Sequence, residues 1–212
     1  MILMKDIIIF GSGGFAQEVI WTIEDINQNK KDWNILGLMV DYPNTAWGTQ
    51  IHGYEVFNPE DIIKRSGKIY IANGFSDCYG KYCVAKRFDL PNFEYANLIH
   101  PTVVKARTAR IDGVGVIIQA GSIIAPASVI KDHVTVNLAV TLGHDSVLHE
   151  YVTVAPGAHI SGNVNIGYGT NFGTGAVVIE KINIGSECII GANASVIRDV
   201  HNNLVAVGVP TK

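Results

Sequence analysis

The 212-residue chain is poor in cysteine, in net positive charge and, over its second half, in aromatic residues. Each shortage excludes something. Three cysteines (Cys78, Cys83, Cys188) are too few and too scattered for a disulfide framework, and such sparse use fits a reducing cytosol. A formal net charge of −3 leaves no basic stripe for a nucleic acid. No apolar run reaches the roughly 18 residues that a membrane-spanning helix needs, although 48% of the chain is apolar. The opening MILMKDIIIFGSGG has neither a basic start nor a small-residue cleavage site, so it reads as a first strand rather than a secretory signal. A cytoplasmic protein without a membrane span is expected.

After residue 100 the only aromatic residues are Tyr151, Tyr168 and Phe172. That shift places a boundary near Asn97–Pro101, in NLIHP. Two domains are expected, 1–97 and 98–212.

The second domain is read from its repeat. From Ile118, every sixth residue is large and apolar: Ile124, Ile130, Val136, Leu142, Leu148, Val154, Ile160, Ile166, Phe172, Val178, Ile184, Ile190 and Val196. Two residues before each stands a smaller or β-branched side chain, such as Ser122, Val140, Ser146, Ala158 or Cys188. A period of six fits a three-sided coil in which 18 residues close one turn. The large aliphatic points inward, the smaller residue fills the corner, and β-branched side chains suit the strands. Glycine or alanine often follows the large residue, as at Ala125 and Gly143, which predicts a tight turn there. The predicted fold is a left-handed parallel β-helix of hexapeptide repeats, about five coils long. Upstream the repeat continues through Val104 and Ile111, with the spacing slipping to seven.

The first domain reads differently. Residues 6–10 (DIIIF), 35–40 (ILGLMV) and 68–72 (KIYIA) are apolar enough for buried parallel strands. Ala16, Val19, Ile20, Ile23 and Ile26 recur at helical spacing. This βαβ pattern predicts a Rossmann-like α/β unit. Gly11-x-Gly13-x-x-Ala16 lies between strand and helix, where glycines let backbone N–H groups approach a phosphate. Asp41, after the second strand, can accept hydrogen bonds from a ribose or a base. The domain is short for a full dinucleotide fold, so a mononucleotide is expected. A tight strand–helix turn with no ligand gives the same local sequence.

In the coil, His144-Asp145 interrupts a bland run two residues after inward Leu142. An imidazole at such a turn can serve as a general base, and a neighbouring carboxylate can fix its tautomer. A solvated turn pair gives the same sequence. No serine or cysteine nucleophile stands out, which fits direct attack by an acceptor on an activated acyl donor.

GSGGFAQEV, VDYP, IANG, LIHPTV, GHDSVLHEYVTVAPGAHISGNVNIG and the terminal VGVPTK together resemble the hexapeptide acyltransferases of the sialic acid O-acetyltransferase (NeuD-like) family. That family includes the UDP-4-amino-sugar N-acetyltransferases. The resemblance implies acetyl-CoA-dependent acetylation of an amino or hydroxyl group on a nucleotide-activated sugar, in bacterial surface glycan biosynthesis. It implies that His144 is the general base and Asp145 the residue that raises its basicity. It further implies that Gly13, Gly14 and Phe15, with Asp41 and Gly74, hold the nucleotide-sugar, that Thr153, Thr174 and Ala192 touch acetyl-CoA, and that no metal takes part. Homotrimers with active sites between subunits are implied as well. Phe15 stands where the family often has histidine, and Thr153 where the amino-sugar branch has one. Those departures suit a non-catalytic sugar-nucleotide-binding scaffold. A second alternative is a γ-carbonic-anhydrase-like metalloenzyme, since His144 and His149 imitate two of its ligands; no histidine stands near Thr108 to supply the third.

Overall fold

The computed structural model describes residues 4–41 and 44–212, which form two compact units. One runs to Ser76 and resumes over Gly80–Leu98; the other takes Asp77–Tyr79 and Ile99–Lys212.

The first unit is built on one sheet. In chain order its elements are β1 (Lys5–Phe10), α1 (Gly14–Asn29), β2 (Trp33–Met39), β3 (Gln50–Ile51), β4 (Tyr54–Phe57), α2 (Pro59–Ile63), β5 (Ile69–Asn73), α3 (Cys78–Arg87, all but its first two residues) and β6 (Phe93–Tyr95). The strand order is β3-β4-β2-β1-β5-β6, with every pairing parallel except β3 with β4. The three strands expected from apolar runs are the central ones. The β3–β4 hairpin and the short β6 lack such runs, and were not foreseen. Ile7, Ile9, Ala16, Val19, Ile20, Ile23 and Leu38 are buried. A cluster of Ile8, Phe10, Met39, Ile69, Ile71, Val84 and Phe88 forms a core as well. Each such side chain contributes roughly 1.5–3 kcal/mol against exposure.

The second unit is a parallel β-helix. Its two-residue strands stack into three parallel sheets of seven, six and five strands, the pattern of a left-handed hexapeptide coil. Leu142 pairs with Ile160, Leu148 with Ile166 and Val154 with Phe172, an offset of 18 residues in each case. All fourteen large positions from Ile118 to Val196 are at most 2% exposed, and the smaller residues two before them are buried too. Where the smaller residue carries a hydroxyl, it stitches two coils together. Ser146 Oγ donates to Ser161 O at 2.9 Å and accepts from Val164 N at 3.0 Å, and Thr170 repeats the arrangement with Gly185 O and Cys188 N.

Two expectations are corrected here. The upstream repeat does not run through Val104, which is 64% exposed and pairs with outward-facing Ile123. Lys105 stands opposite Ile124 instead, and its Nζ donates to Ala109 O at 2.8 Å. The spacing of seven therefore falls between Ile111, which pairs with Ile130, and Ile118. The second correction concerns the turns. Left-handed backbone falls three residues after the large position, at Gly121, Ala127, His133, Ala139, Asp145 and onward in sixes to Asn193. The glycines that directly follow the large residue, such as Gly143 and Gly167, do not have positive φ. They are needed for close stacking: a Cβ on Gly167 would sit 2.6 Å from the carbonyl carbon of Gly185 in the next coil.

Candidate active site

In the first unit the glycine loop leaves β1 at its C-terminal end. Gly11 has φ +126, and a Cβ there would come within 2.8 Å of Gly74 O. A Cβ on Gly74 would in turn meet Ala16 Cβ and Ile9 Cγ2, both at 2.8 Å. The two strand ends thus approach as closely as glycine alone allows. Gly13 is the N-cap of α1 and offers no side-chain cap, and beside Gly13 and Gly14 the space is open to at least 4 Å. The first N–H groups of a 16-residue helix are therefore free of a capping side chain. Phe15 is half-buried in the first turn of α1.

Asp41 is exposed but engaged. Its Oδ1 accepts from Arg87 Nη1, while Arg87 Nη2 donates to Glu60 Oε1 at 3.0 Å. Burial works against the Arg87 charge, but Asp41 and Glu60 outweigh it and hold the guanidinium pKa above its ordinary value. The sequence reading missed Arg87, because nothing local to residue 87 reveals a partner on another segment. Tyr42 and Pro43, which complete VDYP, lie outside the described residues, as do Met1–Leu3. Asn73 was missed too. It ends β5 next to Gly74, is 2% exposed, and neither side-chain atom has a hydrogen-bond partner. Its signal was a lone amide closing an apolar strand.

In the coil, His144 and Asp145 occupy the turn between the strands Thr141–Leu142 and Val147–Leu148. Both are exposed, and His144 Nδ1 lies 2.8 Å from Asp145 Oδ2. A carboxylate only accepts, so Nδ1 carries the hydrogen, which in a neutral ring leaves the lone pair on Nε2. Asp145 sits in left-handed backbone (φ +56), and its N–H donates to Pro126 O at 3.1 Å across the coils. The local fold thus sets the carboxylate beside the ring.

Thr174 and Ala192 are exposed at matching turn positions of successive coils, joined by Asn193 N donating to Thr174 O at 2.8 Å. Their corner of the prism is not the His144 corner. Thr153 is only 2% exposed, and Cys78 Sγ lies 3.8 Å from its Oγ1. The structure therefore brings Thr174 and Ala192 together on a corner apart from His144, while Thr153 pairs with Asn171 on the strand that leads into the Thr174 turn. His149 lies at the following corner, with Nε2 3.0 Å from Asn165 Oδ1. Among the described residues no group of three or more His, Cys, Asp or Glu could hold a metal.

No family model matches the chain. Solved structures match it over its whole length. The acetyltransferase domain of PglB from Neisseria gonorrhoeae, in complex with acetyl coenzyme A, has a TM-score of 0.88 and 26% identity over 99% of each chain. A histidine-to-asparagine mutant of perosamine N-acetyltransferase from Caulobacter crescentus, in complex with CoA and GDP-perosamine, has a TM-score of 0.87 and 25% identity over 99% of this chain and 97% of that one. The chain is similar to the sugar acyltransferases of the hexapeptide-repeat family. WeeI from Acinetobacter baumannii shares the fold as well, at TM-score 0.80 and 22% identity over 99% of each chain. The likeness spans both units, so neither is an addition peculiar to this chain. No helix among the described residues is long and apolar enough to cross a membrane.

Proposed function

We propose that this chain transfers an acetyl group from acetyl-CoA to an amino or hydroxyl group of a nucleotide-activated sugar, in bacterial surface glycan biosynthesis. The observation that carries the reading is the His144–Asp145 pair, with Nδ1 tied to the carboxylate and Nε2 left as the base. The CoA, acetyl-CoA and GDP-perosamine named with the similar structures supply the substrate classes. In the reaction, Nε2 of His144 takes the proton from the attacking amine or hydroxyl. The new bond forms to the thioester carbon, the carbonyl oxygen carries the negative charge, and the thiolate then leaves. Asp145 stabilises the imidazolium that forms, and the imidazolium returns its proton to the departing sulfur.

The segment 1–97 serves as a Rossmann-like nucleotide-sugar-binding domain. The backbone around Gly13, Gly14 and Phe15 meets the phosphates at the free end of α1. Asp41 and Gly74 lie at the nucleoside end, where Arg87 must share Asp41 with the ligand. The segment 98–212 supplies the chemistry, with Thr153, Thr174 and Ala192 contributing to acetyl-CoA binding. Because Thr174 and Ala192 stand on a different corner from His144, one chain does not gather the whole set. A homotrimer with active sites between subunits does, pairing the His144 corner of one chain with the CoA corner of its neighbour.

The test is a screen of nucleotide-activated amino sugars and sialic acids with acetyl-CoA, following free thiol release. Acceptor-dependent turnover is expected with at least one member. Binding of nucleotide-sugars and acetyl-CoA with no turnover on any acceptor would favour the scaffold reading, to which Phe15 and Thr153 point.

A further inference from the structure

We propose that Gly162 is a positioning residue for His144: its missing side chain is the slot across which the imidazole lies. The inference rests on His144 being the base. The five stacked turn positions 126, 144, 162, 180 and 198 hold Pro, His, Gly, Glu and Arg. Glycine is therefore not a general requirement of this corner.

At Gly162 a Cβ would stand 2.5 Å from His144 Nε2, 2.7 Å from Cε1 and 2.9 Å from Cδ2. These three ring atoms are its nearest neighbours. The ring thus lies across the Cα of the next coil, with its proton-accepting nitrogen directly over the gap. Even a methyl group must displace the ring by an amount on the order of 1 Å to reach ordinary carbon–nitrogen contact near 3.5 Å.

Gly162 has no conformational need to be glycine, since it is not among the residues with positive φ. Gly143 differs: a Cβ there would collide with the backbone of Ser161 and Gly162, which cannot yield. At 162 the three nearest obstacles all belong to one side chain, and that side chain is the candidate base. Two contacts then fix the imidazole, the hydrogen bond from Nδ1 to Asp145 and the face resting on Gly162. A ring pushed off the second surface either loses the first or carries Nε2 away from the acceptor.

The test compares Gly162→Ala, His144→Ala and the double variant in the full chain, with acetyl-CoA and whichever nucleotide-activated sugar the screen identifies. Gly162→Ala is expected to keep its melting temperature and its acetyl-CoA KM within about twofold, while kcat falls about 10–100-fold through misplacement of the base. In the His144→Ala background the same change is expected to have no further effect on residual turnover, because the slot is already empty. A crystal structure of Gly162→Ala is expected to show the ring displaced. Wild-type kcat in Gly162→Ala, or an effect confined to acetyl-CoA KM, overturns the proposal. So does an equal loss in the His144→Ala background, which would assign the effect to the backbone of Gly162 itself. If Gly162→Ala fails to fold, a folded double variant supports the slot and an unfolded one refutes it. If His144→Ala alone retains full turnover, the assignment of the base fails and this inference falls with it. If His144→Ala is inactive while Gly162→Ala is not, only the slot is lost.

Discussion

Both units of the chain are built on parallel strands, yet they bury their cores by opposite means. In the first unit, strands of five to seven residues pair across long sequence separations, as Ile8 does with Ile71, and each core contact is particular to its place. In the coil, two-residue strands meet copies of themselves one turn away, and two inward residues per repeat, one large and one smaller, make the core. The first design leaves no two strand ends alike. The second keeps its surface regular, so a functional residue is an exception to a rule. Among stacked turn positions holding Pro, His, Gly, Glu and Arg, the His144 ring fits its place because the position below it is empty.

The largest expected effect breaks the coil itself. Leu142 is 1% exposed and lies in register with Ile124 on one side and Ile160 on the other. Leu142→Asp buries a carboxylate with no partner and interrupts the stack in both directions. The variant should fail to express in soluble form or should lose its cooperative melting transition, as circular dichroism would show. Normal thermal stability would mean that the coil tolerates a charge at its centre, and the contrast between the two cores would collapse.

Next in size comes the chemistry that the regular scaffold presents. His144→Ala should lower kcat by roughly 10²–10⁴-fold, the range for losing a general base. Acetyl-CoA affinity by calorimetry should change little, because in the proposed reaction the imidazole acts on the acceptor proton. Asp145→Asn should be milder. Asparagine accepts left-handed backbone readily, so φ +56 costs it little, and its amide oxygen can still receive the Nδ1 hydrogen. What is lost is the charge that supports the imidazolium. An Asp145→Asn loss as deep as that of His144→Ala would show that the carboxylate charge is as essential to the reaction as the ring itself.

The irregular unit should respond more locally. Gly13 has φ −81 and ψ −169, an extended backbone open to any residue, and a Cβ there meets nothing within 4 Å. Gly13→Val should therefore fold, at a small cost in helix capping, while blocking the approach of an anion to α1. Acceptor KM should rise about tenfold, the loss of one hydrogen bond to a charged group, with acetyl-CoA KM unchanged. An unchanged acceptor KM would remove the glycine loop from the binding site.

The same contrast explains what could be read from the sequence. The coil's inward residues were legible because a position repeated fourteen times is its own control, and His144-Asp145 stood out against that background. The loop Gly11–Gly14 was legible as a strand–helix junction. Lys105 was not recognised as standing in register with Ile124, because it breaks the apolar pattern and its Nζ instead donates to the carbonyl of Ala109. Arg87 was invisible for a different reason: its meaning lies in Asp41 and Glu60, partners on segments far off in the chain. Gly162 looked like any turn glycine until the ring of His144 was seen to rest on it.

The smallest expected effect concerns a group that the first unit holds at a cost. Glu18 sits on α1 with Oε2 buried and without a hydrogen-bond partner, and burial raises its pKa above the ordinary 4.5. A raised carboxyl pKa means that the folded state holds the proton more tightly than the unfolded state. The stability tied to this group is therefore complete in acid, below the ordinary value of 4.5. It is lost as pH climbs through the folded value. Glu18→Gln cannot ionise and escapes that loss. Its melting temperature should match the wild type in acid and exceed it modestly at neutral pH, the gap opening as pH rises. The group is partly exposed, so solvent keeps the effect small. A gap that is constant across pH would trace the change to packing of the amide rather than to the buried charge, and a gap that opens toward acid would reverse the assigned shift.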